Sequence, residues 1–156
     1  MAALNIIECL ALDKEQKQAI KELWNNEYPA KLQHESLDDF SSYLHGLGDQ
    51  NHLLLLIDNE IKGWYFDFSR EGEKWFALIL NSDIQGKGYG SQIMDRIKSS
   101  ERELNGWVID HNNDLKSNGE RYQSPLEFYT KNGFDIISDV RLELDKISAV
   151  KIKWTK

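Results

Sequence analysis

Apolar positions along this chain switch between extended and helical spacing, and the switches mark its elements. Leu4 to Leu10 is a short apolar run interrupted by Glu8, as expected of a strand near a sheet edge. Asp13, with Gln16 three residues on, predicts a capped helix with Ala19, Ile20, Leu23, Trp24 and Tyr28 on its apolar face, stopped by Pro29. Ser36 and Asp39 repeat the capping arrangement before a shorter helix through Leu37, Phe40, Leu44 and Leu47, which Gly46 and Gly48 end. From His52 the spacing becomes that of strands. Leu53 to Ile57, Ile61 to Phe68 and Lys74 to Leu80 are parted by the turns Asp58-Asn59-Glu60 and Arg70-Glu71-Gly72-Glu73, which predicts an antiparallel meander.

The third strand runs into a glycine-rich turn and an amphipathic helix over Ser91 to Arg102. Gly106 to Asp110 then reads as a strand that a helical crossover places parallel to its predecessor. His111 to Gln123 is polar and without period, hence a loop, and loops of that length usually carry function. Ser124-Pro125 opens a short helix through Leu126, Phe128, Tyr129 and Lys131 that Asn132-Gly133 closes. Val140, Leu142 and Leu144, then Val150, Ile152 and Trp154, alternate with polar residues as a closing hairpin with one wet face. These elements predict one α/β domain over residues 1–156. Its sheet is mixed and mostly antiparallel, of about seven strands split by a cleft, with about four flanking helices.

Composition narrows the partners. The 156 residues are 40% hydrophobic and carry a net charge of −7, which argues against nucleic acid or an anionic membrane as partner and is compatible with a cationic one. Cys9 is the lone cysteine, which excludes an intrachain disulfide and is expected to be a buried apolar filler. With no leader-like or membrane-spanning run in this sequence, a cytoplasmic location is the expectation. His34, His45 and His52 lack metal-ligand spacing, so no metal site is expected.

The chemistry concentrates in Leu78-Ile79-Leu80 and the following Gln85-Gly86-Lys87-Gly88-Tyr89-Gly90-Ser91. Glycines at 86, 88 and 90 remove Cβ atoms that would hold a ligand off the backbone, and the first amides of the next helix point outward at the positive end of its dipole. That is a cradle for a pyrophosphate. The dinucleotide fingerprint does not fit, because Ser91 stands where its third glycine belongs; the P-loop does not fit, because Gly88 follows Lys87.

Two stretches, Gln85 to Gly90 and Phe128-Tyr129-Thr130-Lys131-Asn132-Gly133-Phe134, resemble the Q/R-x-x-G-x-G/A and L-Y-x-x-x-G-F segments of the GNAT superfamily of N-acetyltransferases, and the predicted element order is similar throughout. The resemblance implies acetyl-coenzyme A as co-substrate. It implies that Leu78, Ile79 and Leu80 meet the pantetheine arm, that Gln85, Gly86, Lys87, Gly88, Tyr89, Gly90 and Ser91 hold the pyrophosphate, and that Tyr129 stands beside the thioester sulfur. Three positions depart from the family pattern: Ser82 replaces a proline, Tyr122 an asparagine for which Gln123 or Ser124 could substitute, and Lys74 a glutamate base.

The resemblance further implies direct attack by an amine acceptor, a small amine, polyamine or peptide amine, at a site set by residues 24–48 and 140–152. Glu22, Glu27, Glu35, Asp38 and Asp39 make a cationic acceptor reasonable. Glu22, Glu27, Asp67, Asp110 and His111 all remain open as the base. A homodimer is compatible with this sequence. The alternatives are a coenzyme A-binding sensor that does not transfer, and an unrelated nucleotide-binding fold.

Overall fold

In the computed structural model, which describes residues 4–156, β1 (Leu4–Cys9) leads to α1 (Lys14–Glu27) and α2 (Leu37–His45). The meander β2 (Gly48–Ile57), β3 (Glu60–Arg70) and β4 (Glu73–Leu80) follows, then α3 (Tyr89–Lys98), β5 (Glu103–Ile109), α4 (Leu126–Lys131), β6 (Asp135–Leu144) and β7 (Ile147–Thr155). One seven-stranded sheet runs β1-β2-β3-β4-β5-β7-β6, antiparallel except between β4 and β5. The mixed seven-stranded sheet, four helices and edge position of β1 agree with the sequence reading.

Most boundary differences have local causes. α3 stops at Lys98 rather than Arg102, where the Ser99 and Ser100 hydroxyls donate to the carbonyls of Arg96 and Ile97 and so compete with the helix. Gly48 does not end a helix but begins β2, whose polar residues Gly48 to His52 pair with β3 across a register shift. β6 begins five residues ahead of the alternation at Val140, and its pairing with β7 shifts between Ile137 and Arg141. Polarity hides the first strand and irregular register the second. Cys9 is half-buried rather than a core filler.

Each face of the sheet has its own core. Tyr65, Phe76, Leu53 and Leu55 pack against Ile93, Met94 and Ile97 of α3, with Tyr129 and Phe134. On the other face Trp64, Phe66, Phe68 and Trp75 meet Ile20, Leu23 and Trp24 of α1 and Phe40 and Leu44 of α2. Asp13 accepts from the Gln16 amide at 2.8 Å and Gln16 returns the bond at 2.9 Å, fixing the start of α1 as its capping box predicts.

His52 lies in the second core, where Trp64 Nε1 donates to its Nδ1 at 3.0 Å and its Nε2 sits 3.0 Å from Gln50 Oε1. Burial lowers its pKa from 6.5 to about 4, so the folded imidazole stays neutral where the unfolded one is protonated. The unfolded state then binds more protons, and stability is lost as pH falls from 6.5 towards 4, by up to about 3 kcal/mol. Urea denaturation across that window should show this slope in the wild type, and His52→Gln should flatten it.

The sheet divides at a single place. β4 and β5 share one register pair, Trp75 with Asn105, and the buried Asn105 amide donates to the Lys74 carbonyl at 3.0 Å. Gly106 is required just beyond, because a Cβ there would lie 3.0 Å from the Phe76 ring. Past that pin the strands diverge towards their C-terminal ends, leaving alternate backbone groups of residues 77–80 without a strand partner on the β5 side.

Candidate active site

Two cavities occupy the divergence. The first, about 510 Å³, lies between the end of β4, the start of α3 and α4. Of the residues marked in the sequence, Leu78, Ile79, Leu80, Gln85, Gly86, Gly88, Tyr89, Gly90, Ser91 and Tyr129 line it. Lys87 is exposed and does not. The second cavity, about 400 Å³, lies between α1, α2, the β4–β5 gap and the β6–β7 hairpin. The two share Tyr28, Leu78, Tyr122, Pro125 and Tyr129, so they meet at one junction.

The glycines of the turn act in two different ways. Gly86 and Gly88 have φ of 76° and 87°, and a Cβ on either would meet no protein atom within 4 Å. Their backbones are left-handed and open towards the cavity, as a phosphate cradle requires. Gly88 is also the N-cap of α3 and provides no side-chain acceptor, leaving the first-turn amides available. Gly90 differs: a Cβ there would lie 2.8 Å from the Phe128 ring, so it is needed for α3 to pack on α4. The Gln85 side chain donates to the Leu80 carbonyl at 2.9 Å, tying the turn to the strand end.

Tyr129 is buried, and the hydroxyls of Tyr28, Tyr122 and Tyr129 have no hydrogen-bond partner among the described residues. Burial raises all three pKa values, and the neighbouring hydroxyls raise them further: Tyr122 acts on Tyr28, Tyr28 on Tyr129 and Tyr129 on Tyr122. All three stay protonated at neutral pH and are available as donors. Tyr28 stands in the sequence only as a helix-face residue. Its place at the junction follows from the turn at Pro29 and from Tyr122, whose ring centroid is 6.2 Å away.

Tyr122 arrives on the 111–123 loop, which is docked rather than free. The Ala30 amide donates to the Leu115 carbonyl at 2.8 Å, Lys31 pairs with Asp114 at 2.8 Å, and Lys116 pairs with the buried Glu27 at 3.2 Å. Glu27 is thereby engaged on both oxygens, since its Oε2 accepts from the Ser82 amide at 3.0 Å. It lines the first cavity and joins α1, the loop and the turn after β4.

The other carboxylates and His111 line neither cavity. Glu22 is exposed and accepts from Gln18. Asp67 is buried, accepts from Tyr65 at 2.7 Å and has Lys74 at 3.8 Å; burial raises its pKa. Arg141 holds Asp110 in a two-pronged pair at 2.8 and 3.0 Å and lowers its pKa. His111 Nδ1 accepts from the Asn113 amide. The acidic residues Glu35, Asp38 and Asp39 likewise lie outside both cavities, and no cluster of metal-ligating side chains occurs among the described residues. No described helix is long and apolar enough to cross a membrane.

No family model matches the sequence, and no curated protein matches it. Solved structures do match in fold. An aminoglycoside 6'-N-acetyltransferase complexed with coenzyme A superposes with a TM-score of 0.69 at 14% identity, over 97% of this chain and 96% of that one. An acetyltransferase from Thermus thermophilus gives 0.70 at 17% identity, over the whole of both chains. A GNAT-family acetyltransferase from Streptococcus pneumoniae gives 0.62 at 14% identity, over 99% of this chain and all of that one. From β1 to β7, with the sheet parted between β4 and β5, this chain has the fold of the GNAT acetyltransferases.

Proposed function

We propose that this protein is an N-acetyltransferase that moves an acetyl group from acetyl-coenzyme A to a small-molecule or peptide amine by direct attack. The observation that carries the reading is the junction. The glycine cradle and the open edge of β4 lead from one side to the buried Tyr129, and a second cavity reaches the same tyrosine from the other. A long co-substrate with a pyrophosphate and an extended arm fits the first cavity, with the turn amides of residues 86–91 on the pyrophosphate and Leu78 to Leu80 along the arm. The Lys87 side chain, exposed at the edge, adds positive charge near the phosphates.

Acetyl-coenzyme A supplies an activated thioester. The chain's own contribution is to place it and to stabilise charge as it develops. Backbone donors of β4 left without a strand partner at the divergence would stabilise negative charge on the thioester carbonyl oxygen. The Tyr129 hydroxyl donates to the sulfur. Its ordinary pKa near ~10 already exceeds the ~8.5 of a thiol, and burial raises it further, so donating a hydrogen bond is favoured over complete proton transfer.

An alkylamine with pKa near ~10.4 loses about 4 to 5 kcal/mol in becoming neutral at pH 7. Glu27 is the cavity-lining carboxylate, and it is committed to Lys116 and Ser82. The amine proton therefore leaves through water at the junction or is already absent from a weakly basic acceptor.

Calorimetry with acetyl-coenzyme A, ATP and NAD, followed by a thiol-release assay over an amine panel, tests the reading. Binding of acetyl-coenzyme A alone, with thiol release that depends on an amine, is the expected result. Binding without release from any amine indicates a sensor. Preference for ATP or NAD indicates a nucleotide-binding protein instead.

A further inference from the structure

The second cavity has a composition that the charge of the chain does not foreshadow. Trp24, Tyr43, Phe68, Trp75 and Trp107 contribute aromatic walls, no aspartate or glutamate lines it, and Arg70 is its one charged lining residue. The Arg70 guanidinium lies 5.1 Å from the Phe68 ring centre and 6.0 Å from that of Trp75, and has no carboxylate within 4 Å among the described residues. The Phe68 ring thus holds one cation and Trp75 two, since Lys151 Nζ lies 5.2 Å from its centre, and Trp107 lies tilted against Trp75 with centroids 5.1 Å apart. A second cation beside Arg70 would meet no carboxylate among the residues that line the cavity.

We propose that this cavity binds a monoamine on an aromatic body whose far end carries a carboxylate or similar anion, held by Arg70. The inference rests on the acetyl-transfer reading for the fate of the amine, but not for the recognition itself. The amine belongs at the junction beside Leu78 and Tyr129. Leu78 lies three residues along β4 from Trp75, near which Arg70 lies, a rise of about 10 Å along the strand that sets the span between amine and anion. The flat walls favour a ring between them, and a guanidinium with no ion pair is matched to a carboxylate. Polyamines are disfavoured, because a second ammonium would approach Arg70 with no compensating acid. The overall charge of −7 draws cations to the surface, yet the acids of α1 and α2 outside the cavities cannot select within them.

The test compares 4-(2-aminoethyl)benzoate, 2-phenylethylamine and spermidine by calorimetry, with and without saturating coenzyme A. The expected order places 4-(2-aminoethyl)benzoate about tenfold tighter than 2-phenylethylamine, with spermidine weakest. Arg70→Gln should bring the two aryl amines together while leaving the thermal midpoint nearly unchanged, because Arg70 is exposed. Equal binding of the aryl amines, an order that survives Arg70→Gln, preference for spermidine, or no binding of any of the three overturns the proposal. Turnover with acetyl-coenzyme A is read separately. The predicted binding order without acetyl transfer supports this proposal and refutes only the transferase reading.

Discussion

Valine at Gly88 is expected to abolish binding of acetyl-coenzyme A while the protein remains folded. Gly88 has φ of 87°, and the space where its Cβ would stand contains no protein atom within 4 Å, because that space faces the first cavity. A branched side chain there fills the proposed phosphate path and turns the N-cap of α3 away from its present geometry. Part of the effect is backbone strain, roughly 1 to 2 kcal/mol for a side chain in the left-handed region. A matched control separates the two. Gly72, in the turn between β3 and β4, has φ of 77° and equally open surroundings, and lines neither cavity. Gly72→Val should therefore lose a similar amount of stability and keep its coenzyme affinity. Intact affinity in Gly88→Val by calorimetry would show that the pyrophosphate does not lie on this turn.

Phenylalanine at Tyr129 should lower turnover by roughly 10²-fold or more while coenzyme affinity stays close to that of the wild type. The substitution removes one oxygen and leaves the ring, which packs edge-on against Phe76 with centroids 5.7 Å apart and against Phe134 at 5.4 Å. The core on that face is therefore preserved. The hydroxyl has no partner among the described residues, so its deletion leaves no buried group unsatisfied and the folded state should tolerate it. What disappears is a donor beside the leaving sulfur, which acts mainly as negative charge accumulates there. A loss in kcat with little change in KM for acetyl-coenzyme A is the expected pattern in steady-state kinetics. Turnover equal to that of the wild type would remove Tyr129 from the reaction.

Much of this architecture was legible because its determinants are local. The Asp13–Gln16 capping box and the Gln85 to Gly90 turn are decided by a few neighbouring residues and stand where local chemistry predicts, whereas α4 starts one residue later than Ser124-Pro125 predicts, with Pro125 as its N-cap and Leu126 as its first residue. Continuous apolar runs mark the buried parts of the meander and alternation marks the hairpin, and these signals fail where strands are polar, as in Gly48 to His52, or irregular, as before Val140. The three glycines of the turn look equivalent in sequence. Only packing shows that Gly90 faces Phe128 while Gly86 and Gly88 face the cavity.

The base candidates were open in the sequence for the same reason. Glu27, Asp67, Asp110 and His111 are all polar residues at element ends or on strands, and nothing nearby in sequence identifies their partners. Those partners are distant: Lys116 for Glu27, Lys74 for Asp67 and Arg141 for Asp110. Lys87, marked by its position in the motif, is exposed and does not line the cavity that its neighbours line.

By itself the sequence determined the element order, the mixed sheet and the glycine cradle, since period, caps and left-handed turns depend on residues within a few positions of each other. Tertiary structure alone decided that Tyr28, Tyr122 and Tyr129 meet at one junction and that the second cavity is aromatic with a single arginine. Those side chains come from separate helices, strands and a docked loop, and their meeting depends on where β4 and β5 part, a geometry set by Asn105, Gly106 and Phe76 across the sheet.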